Sequence, residues 1–74
     1  MGHGVRTTEL LGIGTKYEIG CGRQRIAVIV RKDGTRELYA FDNESQERPS
    51  AVIHLDEDDT RRLAAVLSGT FFSD

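Results

Sequence analysis

The segment from Arg25 to Asp42 constrains the fold more than any other part of the chain. Two apolar runs within it flank the dipeptide Asp33-Gly34. An Asp-Gly pair between apolar runs is a strong hairpin signal, because a two-residue type I′ turn needs positive φ at both central positions and these residue types tolerate it. We therefore predict two antiparallel strands joined at Asp33-Gly34.

The predicted register follows from this turn, with Lys32 and Thr35 as the flanking residues. Arg31 then lies opposite Arg36, which places two like charges side by side. Two alternatives follow: the guanidinium groups splay into water, or they hold an anion or the carboxylate of a partner. Arg31 and Arg36 are therefore candidate interaction residues. The other predicted pairs are Val30 with Glu37, Ile29 with Leu38, Val28 with Tyr39, Ala27 with Ala40, Ile26 with Phe41 and Arg25 with Asp42.

The run from Ile26 to Val30 is apolar at every position. A strand with one solvated face would instead alternate apolar and polar residues. We therefore expect this run to be a central strand that is covered on both faces.

The length of 74 residues limits the chain to one domain. A core of this size supplies only about 3 to 5 kcal/mol, so further stabilisation is expected from disulfides, metals or oligomerisation. Cys21 is the only cysteine, and it forms no ligand spacing for zinc with His3 and His54. Oligomerisation or docking on a partner is therefore the remaining source of stabilisation. We expect a homo-oligomer, namely a homodimer, without metal or cofactor.

The charge balance disfavours nucleic acid as a partner. The chain has ten Lys and Arg residues, twelve Asp and Glu residues and a formal net charge of −2. Nucleic-acid binding normally requires a basic patch, which this interleaved pattern does not predict. The single thiol, and the lack of a signal peptide or a long apolar run, predict a cytoplasmic protein.

The first strand is predicted from a short, weakly alternating segment. Residues 1–4 are expected to be a disordered leader, and Val5 to Leu10 an edge strand. Gly12 and Gly14 then mark a turn or a close backbone approach. A dinucleotide-binding loop would need a third glycine and a following helix, and neither is indicated.

A second strand is predicted where Lys16 to Ile19 alternate, with Tyr17 and Ile19 facing inward. The glycine-rich segment from Gly20 to Gln24 then closes a second hairpin. Cys21 lies in this segment near two arginines, but no histidine stands close in sequence to act as its base. A catalytic thiol is therefore not predicted.

A polar loop and a short strand complete the predicted sheet. Residues 42–50 contain the only proline and lack the ligand pattern of a calcium loop. Ala51 to Leu55 have strand character. His54 alternates away from its apolar neighbours, which predicts a surface histidine and not a metal ligand.

The C-terminal helix is predicted from its capping residues. Asp56 stands at the N-cap position and Asp59 follows three residues later, which is the spacing of a capping box. The acidic run favours the positive end of the helix dipole, so we assign it to capping and not to metal or acid–base chemistry. Ser68-Gly69 is the stop signal. The predicted i,i+4 pairs are Glu57 with Arg61 and Asp58 with Arg62, and the stripe of Leu63, Val66 and Leu67 is expected to pack on the sheet.

Two aromatic residues, Phe71 and Phe72, follow the helix stop. A finished domain seldom leaves large aromatic side chains exposed. Either they fold back on the sheet, or they contact another chain or a following domain, so both are candidate interaction residues. Residues 70–74 are accordingly expected to be a tail or a linker to a missing domain.

Three segments of the chain resemble a known family. They are Leu11 to Tyr17 (LGIGTKY), Gly34 to Tyr39 (GTRELY), and Leu55 to Gly69, with its acidic start LDEDD, its motif RRL and its end LSG. In order and spacing they are similar to the N-terminal domain of cation/proton antiporter regulatory subunits of the KhtT type. The similarity extends from about Thr8 to Gly69. Family members usually carry proline where this chain has Leu11.

The resemblance implies a soluble bacterial subunit that docks on a potassium/proton antiporter, at the inner face of the cell membrane, and gates it. Residues 5–69 are then the antiporter-subunit domain. The family's TrkA-C (RCK C-terminal) sensor domain, which in some members binds cyclic di-AMP, would start after Gly69 and is missing from this chain. No ligand-binding residue of that domain is carried over.

The predicted fold is α+β: a strongly curved antiparallel sheet of about five strands, open or closed as a barrel, with one C-terminal helix. The predicted function is a non-enzymatic regulatory and interaction domain. An enzyme ranks lower, because no nucleophile, base and orienting group are assembled by the sequence. The alternative function is a small β-barrel module that binds nucleic acid or another anion. That module would stack bases on Tyr17, Tyr39 and Phe41 and use the charges of Arg23, Arg25, Arg31 and Arg36.

Overall fold

Five strands and one helix make up the part of the chain that the computed structural model describes, residues 4–71. Successive strands are hydrogen-bonded neighbours and all pairs are antiparallel. The predicted α+β class is therefore confirmed. The predicted leader, apart from Gly4, lies outside the described residues. The elements are β1 (Arg6–Leu10), β2 (Gly14–Cys21), β3 (Gln24–Arg31), β4 (Arg36–Phe41), β5 (Ala51–Leu55) and α1 (Glu57–Ser68).

The sheet is open. Closure into a barrel would require β1 to pair with β5, since these are the first and last strands in the spatial order. Within residues 4–71, β1 pairs with β2 alone and β5 with β4 alone. Both outer strands therefore present a free edge.

The hairpin between β3 and β4 has a three-residue turn, and not the predicted two-residue turn. The Arg31 N–H donates to the Thr35 carbonyl oxygen at 2.9 Å, and the Gly34 N–H donates to the Arg31 carbonyl oxygen at 3.0 Å. Gly34 has a φ of +95°, whereas no described non-glycine residue has a positive φ. This pattern is a type I turn followed by a left-handed glycine, which spares Asp33 the positive φ that a type I′ turn would impose.

The longer turn shifts the register by one residue, so the predicted pairing of these strands was wrong. A one-residue shift moves a side chain to the other face of a sheet. Arg31 and Arg36, which were predicted to lie side by side, therefore lie on opposite faces. The observed pairs are Arg25 with Phe41, Ile26 with Ala40, Ala27 with Tyr39, Val28 with Leu38, Ile29 with Glu37 and Val30 with Arg36.

Gly14 confirms the predicted close backbone approach. It lies opposite Arg31, and a Cβ atom at this position would stand 2.0 Å from the Val30 carbonyl oxygen. The preceding turn contains Gly12, which has a φ of +78°. Glycine at both positions lets β1 and β2 fold back tightly beside β3.

The second predicted hairpin is also present. Cys21 pairs with Gln24, which leaves Gly22 and Arg23 as the two turn residues. Gly22 has a φ of +64°. Positive φ at the first turn position alone is the pattern of a type II′ turn, which suits the right-handed twist of the paired strands.

Alternation along the strands gives the sheet two chemically different faces. We name them the charged face and the apolar face. The charged face carries Arg6, Lys16, Glu18, Arg25, Arg31, Glu37 and His54, with Ala27, Ile29, Tyr39, Phe41 and Val52 between them. The apolar face carries Thr7, Glu9, Thr15, Tyr17, Ile19, Ile26, Val28, Val30, Arg36, Leu38, Ala40, Ala51, Ile53 and Leu55.

The core of this single sheet is thin. Strand β3 lies in the middle of the sheet, as predicted for the run from Ile26 to Val30. Among the apolar residues described, however, only Ala27 is buried, at 6% exposure, and Ile19, predicted to face inward, is exposed. Residues 4–71 therefore do not bury β3 on both faces, contrary to the prediction.

The helix begins and ends as predicted. The Asp59 N–H donates to the Asp56 carboxylate at 2.7 Å, and the Asp56 N–H donates back to the Asp59 carboxylate at 3.4 Å, which completes the capping box. At the other end Gly69 has a φ of +79°, and the Thr70 N–H donates to the Ala65 carbonyl oxygen at 2.8 Å. These contacts form a Schellman stop.

The helix does not cover the sheet. Its main contact is with β5, none of its residues is buried, and Leu67 in its apolar stripe is 77% exposed. The expected packing of this stripe on a face of the sheet was therefore wrong. The predicted ion pairs also differ, because Arg61 binds Asp58 and Arg62 binds Asp59, each three residues apart. No helix in the described part of the chain combines the length and the apolar character needed to cross a bilayer.

Candidate functional site

Glu37 is the centre of a polar cluster on the charged face. Its side chain is only 13% exposed. Both carboxylate oxygens accept from the same Arg31 nitrogen at 3.2 Å, and the Tyr39 hydroxyl donates to one of them at 2.9 Å. His54 Nδ1 lies 3.5 Å from the other oxygen. Three strands thus converge on one carboxylate.

The cluster changes the proton affinity of Glu37 and of Tyr39. The hydrogen bond from Tyr39, followed by the Arg31 guanidinium, holds the pKa of Glu37 below its ordinary 4.5, although burial acts in the opposite direction. The same hydrogen bond, with burial, raises the pKa of Tyr39 above 10.0. Glu37 is therefore a stable anion at neutral pH and a fixed acceptor, not a proton donor.

The two candidate arginines have different surroundings. Arg31 is engaged by Glu37 within the chain. Arg36 lies on the apolar face and donates to the carbonyl oxygen of Gly34 in the adjoining turn. Because the two side chains are on opposite faces, they do not share one anion. Arg36 is the one positioned to meet a carboxylate that approaches the apolar face.

Arg25 has a structural role that the sequence pattern did not indicate. Its guanidinium donates to the carbonyl oxygens of Glu44 at 2.8 Å and Gln46 at 3.2 Å, and lies 4.0 Å from the centre of the Phe41 ring. These contacts tie the loop of residues 42–50 to β3. The predicted charge pair with Asp42 depended on the wrong register. No sequence signal marks this role, because the acceptors are main-chain carbonyl groups, which every residue has.

The aromatic platform of the alternative nucleic-acid function is divided between two faces. Tyr17 lies on the apolar face, whereas Tyr39 and Phe41 lie on the charged face. Phe41 is covered by Arg25 and the Tyr39 hydroxyl is bound to Glu37. Stacking successive bases requires aromatic rings on one accessible surface. The geometry does not favour the alternative function.

The acidic run and the cysteine do not form a catalytic site with their neighbours. Asp56 and Asp59 cap the helix, and the capping hydrogen bond from the Asp59 N–H lowers the pKa of Asp56. Cys21 is exposed at the end of a hairpin.

An open depression of about 770 Å³ lies between β1 and the 42–50 loop, lined by Arg6, Glu18, Ile19, Gly20, Arg25 and Glu44 among others. No group of three or more His, Cys, Asp and Glu side chains in residues 4–71 has the arrangement of a metal site.

The apolar surfaces are the main unsatisfied feature of the fold. Ile53 on the apolar face and Leu67 on the helix are both exposed, and Phe71 after the helix stop is 48% exposed. Phe72, the other candidate aromatic residue, lies outside the described residues. Exposed large apolar side chains that form a contiguous patch mark a site for another protein. The candidate functional site is therefore an interaction surface.

Comparison with known proteins gives matches across most of the chain. Residues 3–71 match the family model described as "K(+)/H(+) antiporter subunit KhtT, N-terminal domain". The chain is 42% identical over 66 residues to the uncharacterized protein YrvC of Bacillus subtilis (strain 168), a match covering 88% of this chain and 40% of that protein. It is 32% identical over 69 residues to the K(+)/H(+) antiporter subunit KhtT of the same strain, covering 92% and 42%. The chain thus spans about two fifths of the length of these curated relatives.

Proposed function

Because the chain belongs to the family of KhtT N-terminal domains, we propose that it is a regulatory and interaction domain of a potassium/proton antiporter subunit. It docks on the transporter or self-associates, and thereby gates cation efflux. The family match over residues 3–71 is the observation that carries this proposal. The domain acts in the cytoplasm at the inner face of the membrane, as a homodimer, and beside a TrkA-C sensor domain in a longer chain.

The exposed apolar surface supports an interaction function. Folding stability rises by about 25 cal/mol for each Å² of apolar surface removed from water, so a domain that works alone buries its large apolar side chains. This chain instead leaves Ile53, Val66 and Leu67 at its surface. A partner that covers them supplies the missing stabilisation, so docking and folding stability are coupled.

The state of the polar groups supports a non-enzymatic function. A catalytic acid or base needs a pKa near the working pH and access to substrate. Glu37, the most buried carboxylate of the charged face, instead has its pKa lowered and its oxygens occupied by Arg31 and Tyr39. This cluster suits a rigid surface better than proton transfer.

Three described positions are proposed to contribute to docking. Phe71 offers an exposed aromatic ring immediately after the helix stop. Arg36 offers a cation at the edge of the apolar face, and Arg31 one on the charged face. Phe72 is proposed to act with Phe71. Aromatic and Arg side chains are the residue types that most often dominate binding energy at interfaces.

Capture of the antiporter tests the proposal. The chain is immobilised and incubated with detergent-solubilised membranes that contain a potassium/proton antiporter encoded beside it. We expect the antiporter to be retained, and we expect added chain to change potassium-driven proton exchange in membrane vesicles. An antiporter that is neither retained nor altered in its exchange rate would contradict the proposal.

A matched pair of variants tests the contribution of Phe71. Phe71→Ser removes an exposed aromatic side chain, and Val5→Ser removes an apolar side chain of similar exposure from the start of the sheet. We expect Phe71→Ser to weaken capture at least about tenfold, as for a residue at the centre of an interface. Equal capture by the two variants would exclude this role for Phe71.

A further inference from the structure

We propose that the apolar face is the interface between two copies of this chain, which pack sheet against sheet around a two-fold axis parallel to β3. The inference rests on the proposed function in taking self-association as one of its modes. It adds the face that is used, the orientation of the two copies and the residues that meet. The charged face and the end of the helix then remain free for the transporter.

The first argument is that the sheet lacks a second layer. A β-sheet is stable when its apolar face is buried against another element. The only helix within residues 4–71 contacts mainly β5, and none of its residues is buried. Ile53 remains 50% exposed on the apolar face as a result. The layer that covers this face must come from outside the described chain.

The second argument is the distribution of charge. The charged face holds several ionised groups, and burying them against another surface would cost more than it returns unless each found a partner. On the apolar face, two successive rows across the sheet contain no charge. One row is Thr7, Tyr17, Val28, Leu38 and Ile53, and the other is Ile19, Ile26, Ala40 and Ala51.

The third argument is area. Five strands about 4.8 Å apart and three rows of side chains about 6.7 Å apart give a footprint of about 500 Å² per copy. Two such footprints reach the roughly 1,000 Å² that a specific interface requires. The whole chain exposes 5725 Å², whereas a compact protein of 8.2 kDa exposes about 4,500 Å². The excess of about 1,200 Å² is more than twice the footprint that one copy would bury in a dimer.

The fourth argument fixes the occupant and the orientation. The third row of the apolar face carries its two charges, Glu9 on β1 and Arg36 on β4. A two-fold axis parallel to β3 places β1 of one copy over β5 of the other. Viewed perpendicular to the sheets, Glu9 is then offset from Arg36 of the other copy by one strand spacing, about 4.8 Å. A second copy thus supplies both an apolar surface and the matching charges, and a two-fold dimer does so twice.

The experiment compares two neighbouring residues of β5 that point to opposite faces. Ile53→Glu places a carboxylate on the apolar face, and Val52→Glu places one on the charged face at a position of similar exposure, 43%. Association is measured by sedimentation velocity over a wide range of concentrations, with circular dichroism to verify folding. Because each dimer carries the substitution twice, we expect Ile53→Glu to raise the dimer dissociation constant at least about a hundredfold. Val52→Glu should change it less than about threefold.

Cys21 provides a second measurement on the unaltered chain. It continues the apolar face beyond Ile19 at the end of β2, and it is exposed. In the proposed dimer the two Cys21 Cα atoms are about 14 Å apart. A two-fold axis perpendicular to β3, in the plane between the sheets, would instead separate them by roughly 28 Å. A bismaleimide with a spacer of matching length should therefore link two copies, even if Ile53→Glu does not fold.

Three results would overturn the inference. They are a chain that remains monomeric at every concentration, a dimer that dissociates in Val52→Glu as readily as in Ile53→Glu, and a dimer that only a much longer crosslinker joins. Antiporter capture is assayed separately on the same variants. A dimer that forms as described but captures no antiporter would contradict the proposed docking while leaving this inference intact.

Discussion

Arg31 and Glu37 are joined by two hydrogen bonds of 3.2 Å from one guanidinium nitrogen to both carboxylate oxygens. The pair exists because the turn of residues 32–34 places both side chains on the charged face. In the predicted register Arg31 would instead have faced Arg36. The one additional turn residue thus replaces the predicted repulsion between Arg31 and Arg36 with an ion pair between Arg31 and Glu37.

Replacement of Glu37 should measure the strength of this cluster. Glu37→Gln removes the charge that Arg31 and Tyr39 contact, and we expect the free energy of unfolding to fall by about 1 kcal/mol. Urea denaturation provides the measurement. Glu18→Gln is the matched control, because its pair with Arg6 spans 3.9 Å and the Arg6 side chain is largely exposed. Equal losses in both variants would show that the cluster adds nothing specific.

The acid dependence of stability should follow the carboxylates whose pKa is lowered. The folded state holds the pKa of Glu37 below 4.5, and those of Asp33 and Asp56 below 3.8, so it binds fewer protons than the unfolded state in this range. Their stabilisation is present above the unfolded pKa values and is lost as the pH falls through the folded ones. We expect the midpoint of urea unfolding to decline below about pH 4.5, and less steeply in Glu37→Gln. A midpoint that is independent of pH in the acid range would contradict this assignment.

Gly14 should be nearly irreplaceable. In Gly14→Ala the new methyl group would meet the Val30 carbonyl oxygen at 2.0 Å, so β2 and β3 must move apart. We expect a loss of at least about 2 kcal/mol in thermal or urea unfolding. Gly20→Ala is the control on the same strand, because no atom lies within 4 Å of its added Cβ and its φ is not in the left-handed region. That control should change stability by less than about 0.5 kcal/mol.

The exposed stripe of the helix should contribute little to the stability of the isolated chain. Leu67 is mostly exposed, so Leu67→Ser should change the free energy of unfolding by less than about 0.5 kcal/mol. Leu63 is only half-buried, and Leu63→Ser should cost about 1 kcal/mol. Urea denaturation at low protein concentration compares the two. A large loss for Leu67→Ser would mean that the helix already packs on a second surface.

Local signals accounted for most of the elements. The capping box of Asp56 and Asp59 and the glycine stop at Gly69 placed the helix, because each acts through hydrogen bonds within a few residues. The strand Ala51–Leu55 was predicted with its observed bounds, since a proline-containing loop precedes it and a helix cap follows. The family was recognised from the same local segments, in particular Gly34 to Tyr39.

The candidate site was predicted less completely. Phe71 was singled out because an aromatic residue beyond a helix stop is unusual, and it is exposed. Glu37 was missed, since a lone glutamate in a strand gives no signal until its neighbours on β3 and β5 are known. The role of Arg25 was missed for the same reason, because its acceptors are main-chain carbonyl groups that any sequence possesses.

By itself the sequence determined which segments form the strands and the helix, because turns and caps depend on residues close together in the chain. Only the tertiary structure decided which side chains share a face. The run from Ile26 to Val30 is apolar throughout, so it accepts either register with little difference in burial. The two turns differ at Asp33, which avoids a positive φ only in the three-residue turn, whereas Gly34 has a positive φ in either one. That choice separates Arg31 from Arg36 and leaves one face of the sheet apolar and open.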